Sequence, residues 1–107
     1  VLELEPLRRG AEMDWPRHFA RLETPEASAG LDRELQLELK PGHPLFGLTL
    51  RAVARRLDQD GAVFELLDGS GRVADVHLTW AGDREQPPWP SFTMFESIEA
   101  WADSWKR

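Results

Sequence analysis

Residues 48–80 have the sequence LTLRAVARRLDQDGAVFELLDGSGRVADVHLTW, and this stretch decides the fold. Segments of alternating apolar residues are separated by DQDG and DGSG, which are typical of hairpin turns. Gly61 and Gly71 end these turns, at the position where a three-residue hairpin loop needs a left-handed residue. We therefore predict an antiparallel meander of three strands over residues 48–80.

The turns also predict which residues face the core. Three-residue loops would pair Asp58 with Ala62 and Asp68 with Arg72. Counting from these pairs places the even-numbered residues of all three strands on one face, because side chains alternate along a strand. This predicted core face consists of Leu48, Leu50, Ala52, Ala54, Ala62, Phe64, Leu66, Ala74, Val76, Leu78 and Trp80.

The opposite face of the meander mixes apolar and charged residues. In the predicted register a charged row of Arg55, Glu65 and Asp75 lies between apolar rows. An antiparallel sheet that packs on one side normally shows water a polar face. This face is therefore covered by another segment, such as the first thirteen residues or the loop around Pro87–Pro90, or it exposes scattered apolar residues as most proteins do, or it is used for recognition. The candidate partner-binding residues are Val53, Arg55, Val63, Glu65, Leu67, Asp75 and His77.

Two amphipathic helices are predicted outside the meander. Asp14 is a suitable N-cap for a helix over residues 14–23, in which Trp15, Phe19 and Leu22 recur with helical spacing. Thr93 and Glu96 form a capping box that predicts a second helix over residues 93–105. We interpret residues 24–30, TPEASAG, as a loop, and predict strands for residues 33–40, RELQLELK, and for Val1–Glu5.

These elements predict an α+β fold with an antiparallel sheet of four or five strands. The helices carry bulky tryptophans and the core face of the sheet carries alanines, a combination that interdigitates well. We therefore expect both helices to pack on the same face of the sheet. A length of 107 residues favours a single domain over residues 1–107.

Composition narrows the classes of partner. The chain has no cysteine, which excludes disulfides and thiolate metal sites and predicts a cytoplasmic location. The formal net charge of -6 argues against a nucleic-acid partner and favours a basic protein. No apolar run approaches the roughly 18 residues that a membrane span needs, so no membrane association is expected.

No motif predicts catalysis. His18, His43 and His77 lack metal-ligand spacing, so we predict no metal and no cofactor. Asp75, His77 and Thr79 are alternate residues of one strand and point in parallel, whereas a catalytic triad converges on one point. We therefore predict no catalytic residue.

VHLTW at residues 76–80, PPWP at residues 87–90 and a terminal helix with tryptophans resemble the tail of small uncharacterised bacterial proteins. The resemblance covers roughly residues 43–105 and implies no activity. By analogy of class, small acidic α+β domains without cysteine are common among bacterial immunity proteins.

Three hypotheses follow. The first is a non-enzymatic protein-binding domain, for example a bacterial immunity or inhibitor protein, that acts through the outer sheet face. The alternative is a small-ligand or enzymatic domain with a pocket near Trp80, His43 and the Pro87–Pro90 loop. The third is a structural homodimer that pairs through the sheet edge or face.

Overall fold

The computed structural model of the chain describes residues 15–80 and 89–105, which form a five-stranded antiparallel sheet with two helices. The strands pair in the order β1-β2-β3-β4-β5, so each strand lies beside its sequence neighbour. The α+β class, the antiparallel sheet and the meander are confirmed. The predicted strand Val1–Glu5 lies outside the described residues. The elements are β1 (Phe19–Arg21), α1 (Pro25–Glu38), β2 (Leu50–Arg56), β3 (Gly61–Leu66), β4 (Val73–His77), β5 (Phe92–Phe95) and α2 (Ile98–Ser104).

The predicted helix over residues 14–23 is wrong over its described part, which holds the short edge strand β1. Phe19 and Arg56 are partners in the pairing of β1 with β2. His18, just before the strand, has a φ of 74°, which is incompatible with a helix. Trp15 and Phe19 do not share a helix face. Both rings instead pack on Trp101 of α2.

Helix α1 occupies residues that we predicted as a loop and a strand, so both of those predictions are wrong. Thr24 caps the helix by accepting a hydrogen bond from the backbone N–H of Ala27 at 3.2 Å, and Pro25 occupies the first turn. Leu31 and Leu35, four residues apart, are buried against the sheet. Of the alternating leucines that suggested a strand, Leu35 and Leu39 are buried four residues apart, whereas Leu37 between them is exposed.

The hairpin loops are longer than predicted. Phe64 lies opposite Ala74, whereas the predicted pairs place it opposite Val76. Residues 67–71 form the second loop, which is closed by a hydrogen bond from Leu66 N–H to the Arg72 carbonyl. In this second hairpin the shift is two residues, so the same side chains of β3 and β4 still face the core.

A β-bulge between Ala52 and Ala54 breaks the alternation within β2. Ala54 consequently joins the opposite face, and the predicted core residues Leu48 and Trp80 are exposed. Gly61 does not adopt a left-handed conformation and instead begins β3, whereas Gly71 has the expected positive φ of 82°.

The two helices lie on opposite faces of the sheet, so the prediction that both pack on one face is wrong. Leu31 and Leu35 of α1 pack on the face that carries Phe64. Ile98 and Trp101 of α2 belong to a second core cluster with the other face. Both faces of the central strands carry apolar side chains, so each face needs a cover.

Helix α2 is shorter than the predicted helix over residues 93–105. Its N-cap is Ser97, whose hydroxyl accepts a hydrogen bond from the backbone N–H of Ala100 at 3.0 Å. Thr93, the predicted cap, belongs to β5 and pairs with β4. The helix prediction was therefore correct for the C-terminal part of this segment and wrong for its N-terminal part.

Candidate functional site

Helix α2 covers the centre of the sheet face that the sequence singles out. Trp101 is completely buried, and its ring contacts Trp15 and Phe19 at centroid distances of 5.6 and 4.9 Å. Three candidate partner-binding residues lie beneath this cover or are otherwise inaccessible. These residues are Val53, Val63 and Glu65, which are all buried.

Arg55 and Leu67 are exposed but lie apart from the remaining candidates. Arg55 pairs with Ala62, which belongs to the core cluster under α1, so the β-bulge has turned Arg55 to that face. Leu67 lies in the β3–β4 loop, where it lines a small depression with Leu48. Neither residue joins the predicted row with Asp75.

Asp75 and His77 remain together, and they line an open cleft of about 210 Å³ on the α2 side of the sheet. The cleft lies beside α2, across the ends of β3, β4 and β5. Its other lining residues are Arg56, Gly61, Val76, Ser91, Phe92 and Thr93.

The register explains why these residues meet. His77 lies opposite Gly61, and Asp75 lies opposite Thr93. Gly61 contributes no side chain beside His77, and a Cβ at this position would lie only 3.2 Å from the Val76 carbonyl oxygen. The glycine therefore keeps the floor of the cleft open.

The Asp75 carboxylate is half-buried at the edge of α2. Its Oδ2 accepts a hydrogen bond from Trp101 Nε1 at 2.8 Å. Burial raises the pKa of Asp75 above its ordinary value, although the bond from Trp101 and the charges of Arg56 and His77 oppose this shift. Asp75 makes no ion pair with any residue that the structure describes.

Arg56 forms one wall of the cleft and is held from two sides. Its Nε donates to Asp58 Oδ1 at 2.6 Å, and the Arg56 hydrogen bond lowers the pKa of the Asp58 carboxyl. Its guanidinium lies 4.8 Å from the ring centroid of Trp105 and 5.6 Å from that of Phe19. The guanidinium of Arg56 thus already has an anionic partner, Asp58, and contacts two aromatic rings.

His43, which we placed in the alternative pocket, is a buried structural residue. Its Nδ1 accepts a hydrogen bond from Leu45 N–H at 3.0 Å, so Nε2 carries the proton and donates to the Pro90 carbonyl at 2.8 Å. Both ring nitrogens are therefore occupied. Residues 87 and 88 of that predicted pocket lie outside the described residues, and Trp80 is exposed.

A second polar cluster joins α1 to the segment after β4. Glu38 is 0% exposed and accepts hydrogen bonds from the backbone N–H groups of Thr79 and Trp80 at 2.9 to 3.0 Å. Glu34, one turn earlier, is 6% exposed and hydrogen-bonds to Glu38. This bond, burial and the Glu38 charge raise the pKa of Glu34 to about 7.

Sequence reasoning missed Arg56, Ser91 and Thr93, because it lacked the bulge in β2 and the strand β5. It also missed Glu34 and Glu38, because a strand was predicted where α1 lies. The available signal for the cleft was Gly61, the first residue of β3, which places no side chain opposite His77. We assigned that glycine to a turn.

Within residues 15–80 and 89–105, no group of three or more histidine and carboxylate side chains is placed to hold a metal ion. None of the helices in this part of the chain combines the length and apolar character needed to cross a membrane. Comparisons with protein-family models, curated proteins and solved structures find no significant match.

Proposed function

We propose that this chain is a non-enzymatic protein-binding domain whose contact surface is the cleft of Asp75 and His77 with the adjacent β2–β3 hairpin. The observation that carries the proposal is a half-buried Asp75 carboxylate that makes no ion pair with the described residues, at an open cleft. Ionisable groups that burial perturbs are enriched at functional sites.

The surroundings of the cleft suit a protein partner. Leu57, the residue after Arg56, is 62% exposed. Leu57 belongs to the β2–β3 hairpin that the proposal includes in the contact surface, and an exposed apolar side chain there is of the kind that a partner can cover. The cleft volume of about 210 Å³ is smaller than typical pockets for drug-sized ligands, which measure roughly 300 to 1,000 Å³. It suits one side chain of a partner.

Binding explains the cleft better than catalysis does. Asp75 and His77 are alternate residues of β4, and their side chains leave the sheet in parallel. A catalytic triad needs side chains that converge on one point. An immunity or inhibitor protein that binds a basic partner in the cytoplasm is the specific form of the proposal, and it is supported by the net charge of -6 and the lack of cysteine.

The test compares Leu57→Asp with Leu37→Asp. Leu37 is 47% exposed on α1, outside the proposed contact surface, so the two variants make the same chemical change at exposed leucines. A partner captured by the wild type is identified, purified and titrated against each variant. The proposal expects weaker binding for Leu57→Asp alone. Equal affinities, or a homodimer in light scattering that only Leu37→Asp disrupts, contradict it.

A small ligand in the same cleft is a second candidate, which the polar lining from Ser91, Thr93 and His77 favours. A metabolite panel in a thermal-shift assay tests it. A stabilising metabolite whose effect disappears in His77→Ala would support this candidate over the protein partner.

A further inference from the structure

We infer that the cleft binds a cationic side chain, the guanidinium of an arginine or the ammonium of a lysine, and that the Asp75 carboxylate pairs with it. The inference rests on the proposed function, because it names the partner group that enters the cleft. Four features of the described residues support it.

The first feature is the balance of charge. Among the described residues that line the cleft, Arg56 is the one formally cationic side chain, and it forms an ion pair with Asp58 at 2.6 Å. Asp75 has its Oδ2 on the neutral indole N–H of Trp101. Among the described residues, Arg56 and Asp58 balance each other, whereas the Asp75 carboxylate forms no ion pair, so a cation would supply the partner that it lacks.

The second feature is the supply of hydrogen-bond acceptors. Thr93 lies opposite Asp75 on β5, and both residues line the cleft with Ser91. Hydroxyl and carboxylate oxygens can accept from the several N–H donors of a guanidinium or an ammonium.

The third feature is partial desolvation. Burial raises the pKa of Asp75, so the ionised carboxylate is less stable here than in water. A bound cation relieves this penalty, because a buried charge is best tolerated when it is paired and hydrogen-bonded. In the free protein the ionised carboxylate of Asp75 is therefore destabilised, and a bound cationic group would stabilise it.

The fourth feature argues against an anionic ligand. An anion would have to approach the carboxylate of Asp75 within a cleft of about 210 Å³. The guanidinium of Arg56 lies against the rings of Trp105 and Phe19 and donates to Asp58, so its freedom to turn toward an anion is small.

The experiment titrates the ¹⁵N-labelled chain with N-acetyl-argininamide, N-acetyl-lysinamide and N-acetyl-glutamate amide, and follows amide chemical shifts. We expect saturable shifts at Gly61, His77 and Thr93 with a cationic probe, and none with the glutamate probe. Asp75→Asn should weaken binding about tenfold or more, since it removes the charge. This variant should keep its fold, because the asparagine oxygen can still accept from Trp101.

Asp68→Asn is the matched control, because Asp68 lies in the exposed β3–β4 loop and pairs with Arg72. It should bind the cationic probe like the wild type. Saturable shifts with the glutamate probe, no shifts with either cationic probe, or equal binding by Asp75→Asn overturn the inference. If partner binding is lost in Leu57→Asp while the cationic probes fail, the inference is wrong and the proposed protein-binding function stands.

Discussion

The half-buried Asp75 carboxylate has a consequence for stability that differs in sign from that of Asp68. Burial raises the pKa of Asp75 from 3.8, so the proton favours the folded state. The stability that this group contributes is complete below pH 3.8 and is lost as the pH rises through the folded-state pKa. Asp75→Asn abolishes this loss, so the variant should gain stability relative to the wild type as the pH rises through this window.

Asp68 provides the comparison for this prediction. Hydrogen bonds from Ser70 and the nearby Arg72 lower the pKa of Asp68 to about 2. Its contribution is present above the ordinary pKa of 3.8 and is lost as the pH falls through about 2. Asp68→Asn should therefore lose stability relative to the wild type at neutral pH. Urea titrations at several pH values measure both effects, and parallel pH profiles for the two variants would refute the assignment.

The raised pKa of Glu34 predicts that the free energy of unfolding also depends on pH closer to neutrality. Its pKa is raised to about 7 from 4.5, chiefly by the hydrogen bond with Glu38, so protonated Glu34 stabilises the fold. This stability is present below pH 4.5 and is lost as the pH rises to about 7. Glu34→Gln keeps a neutral hydrogen-bond donor at every pH. The free energy of unfolding of the wild type should fall relative to this variant across that interval, and a constant difference would contradict the prediction.

At the scale of elements, the Glu38 carboxylate fastens α1 to the chain that leaves β4. Its two oxygens accept from the N–H groups of Thr79 and Trp80, whose φ is 55°. Glu38→Gln leaves one acceptor oxygen for these donors and turns an N–H₂ group toward them. We expect a loss of about 1 to 3 kcal/mol in denaturant unfolding. Glu26→Gln, at an exposed position of the same helix, should change stability by about 0.5 kcal/mol or less.

The secondary-structure elements differ in how well the sequence predicts them. The meander is predictable because its apolar alternation and turn residues agree over a long stretch. Helix α1 is not predictable in this way. Its leucines fit both the spacing of a helix and the alternation of a strand, and its N-cap sequence Thr24–Pro25 also suits a loop. Arg56 reaches the cleft only because a bulge adds one residue to β2, and the pattern of residues gives no sign of that bulge.

At the scale of the whole molecule, the sheet has a core on each face, and the candidate site is built into the second core. The cluster under α1 is larger, and the cluster under α2 depends on one large ring, Trp101. Asp75 receives its hydrogen bond from the same ring. The packing of the C-terminal helix and the orientation of the Asp75 carboxylate are therefore linked.

Two substitutions of Trp101 separate these roles. Trp101→Ala empties a completely buried site and should cost about 3 to 5 kcal/mol in guanidinium unfolding. Trp101→Phe keeps an aromatic ring beside Trp15 and Phe19 but removes the N–H that donates to Asp75. Its cost should be smaller, and the pKa of Asp75 should rise further, because the bond that lowers it is gone. Carboxyl-carbon NMR titration measures that pKa, and an unchanged value in Trp101→Phe would show that the indole does not hold the carboxylate.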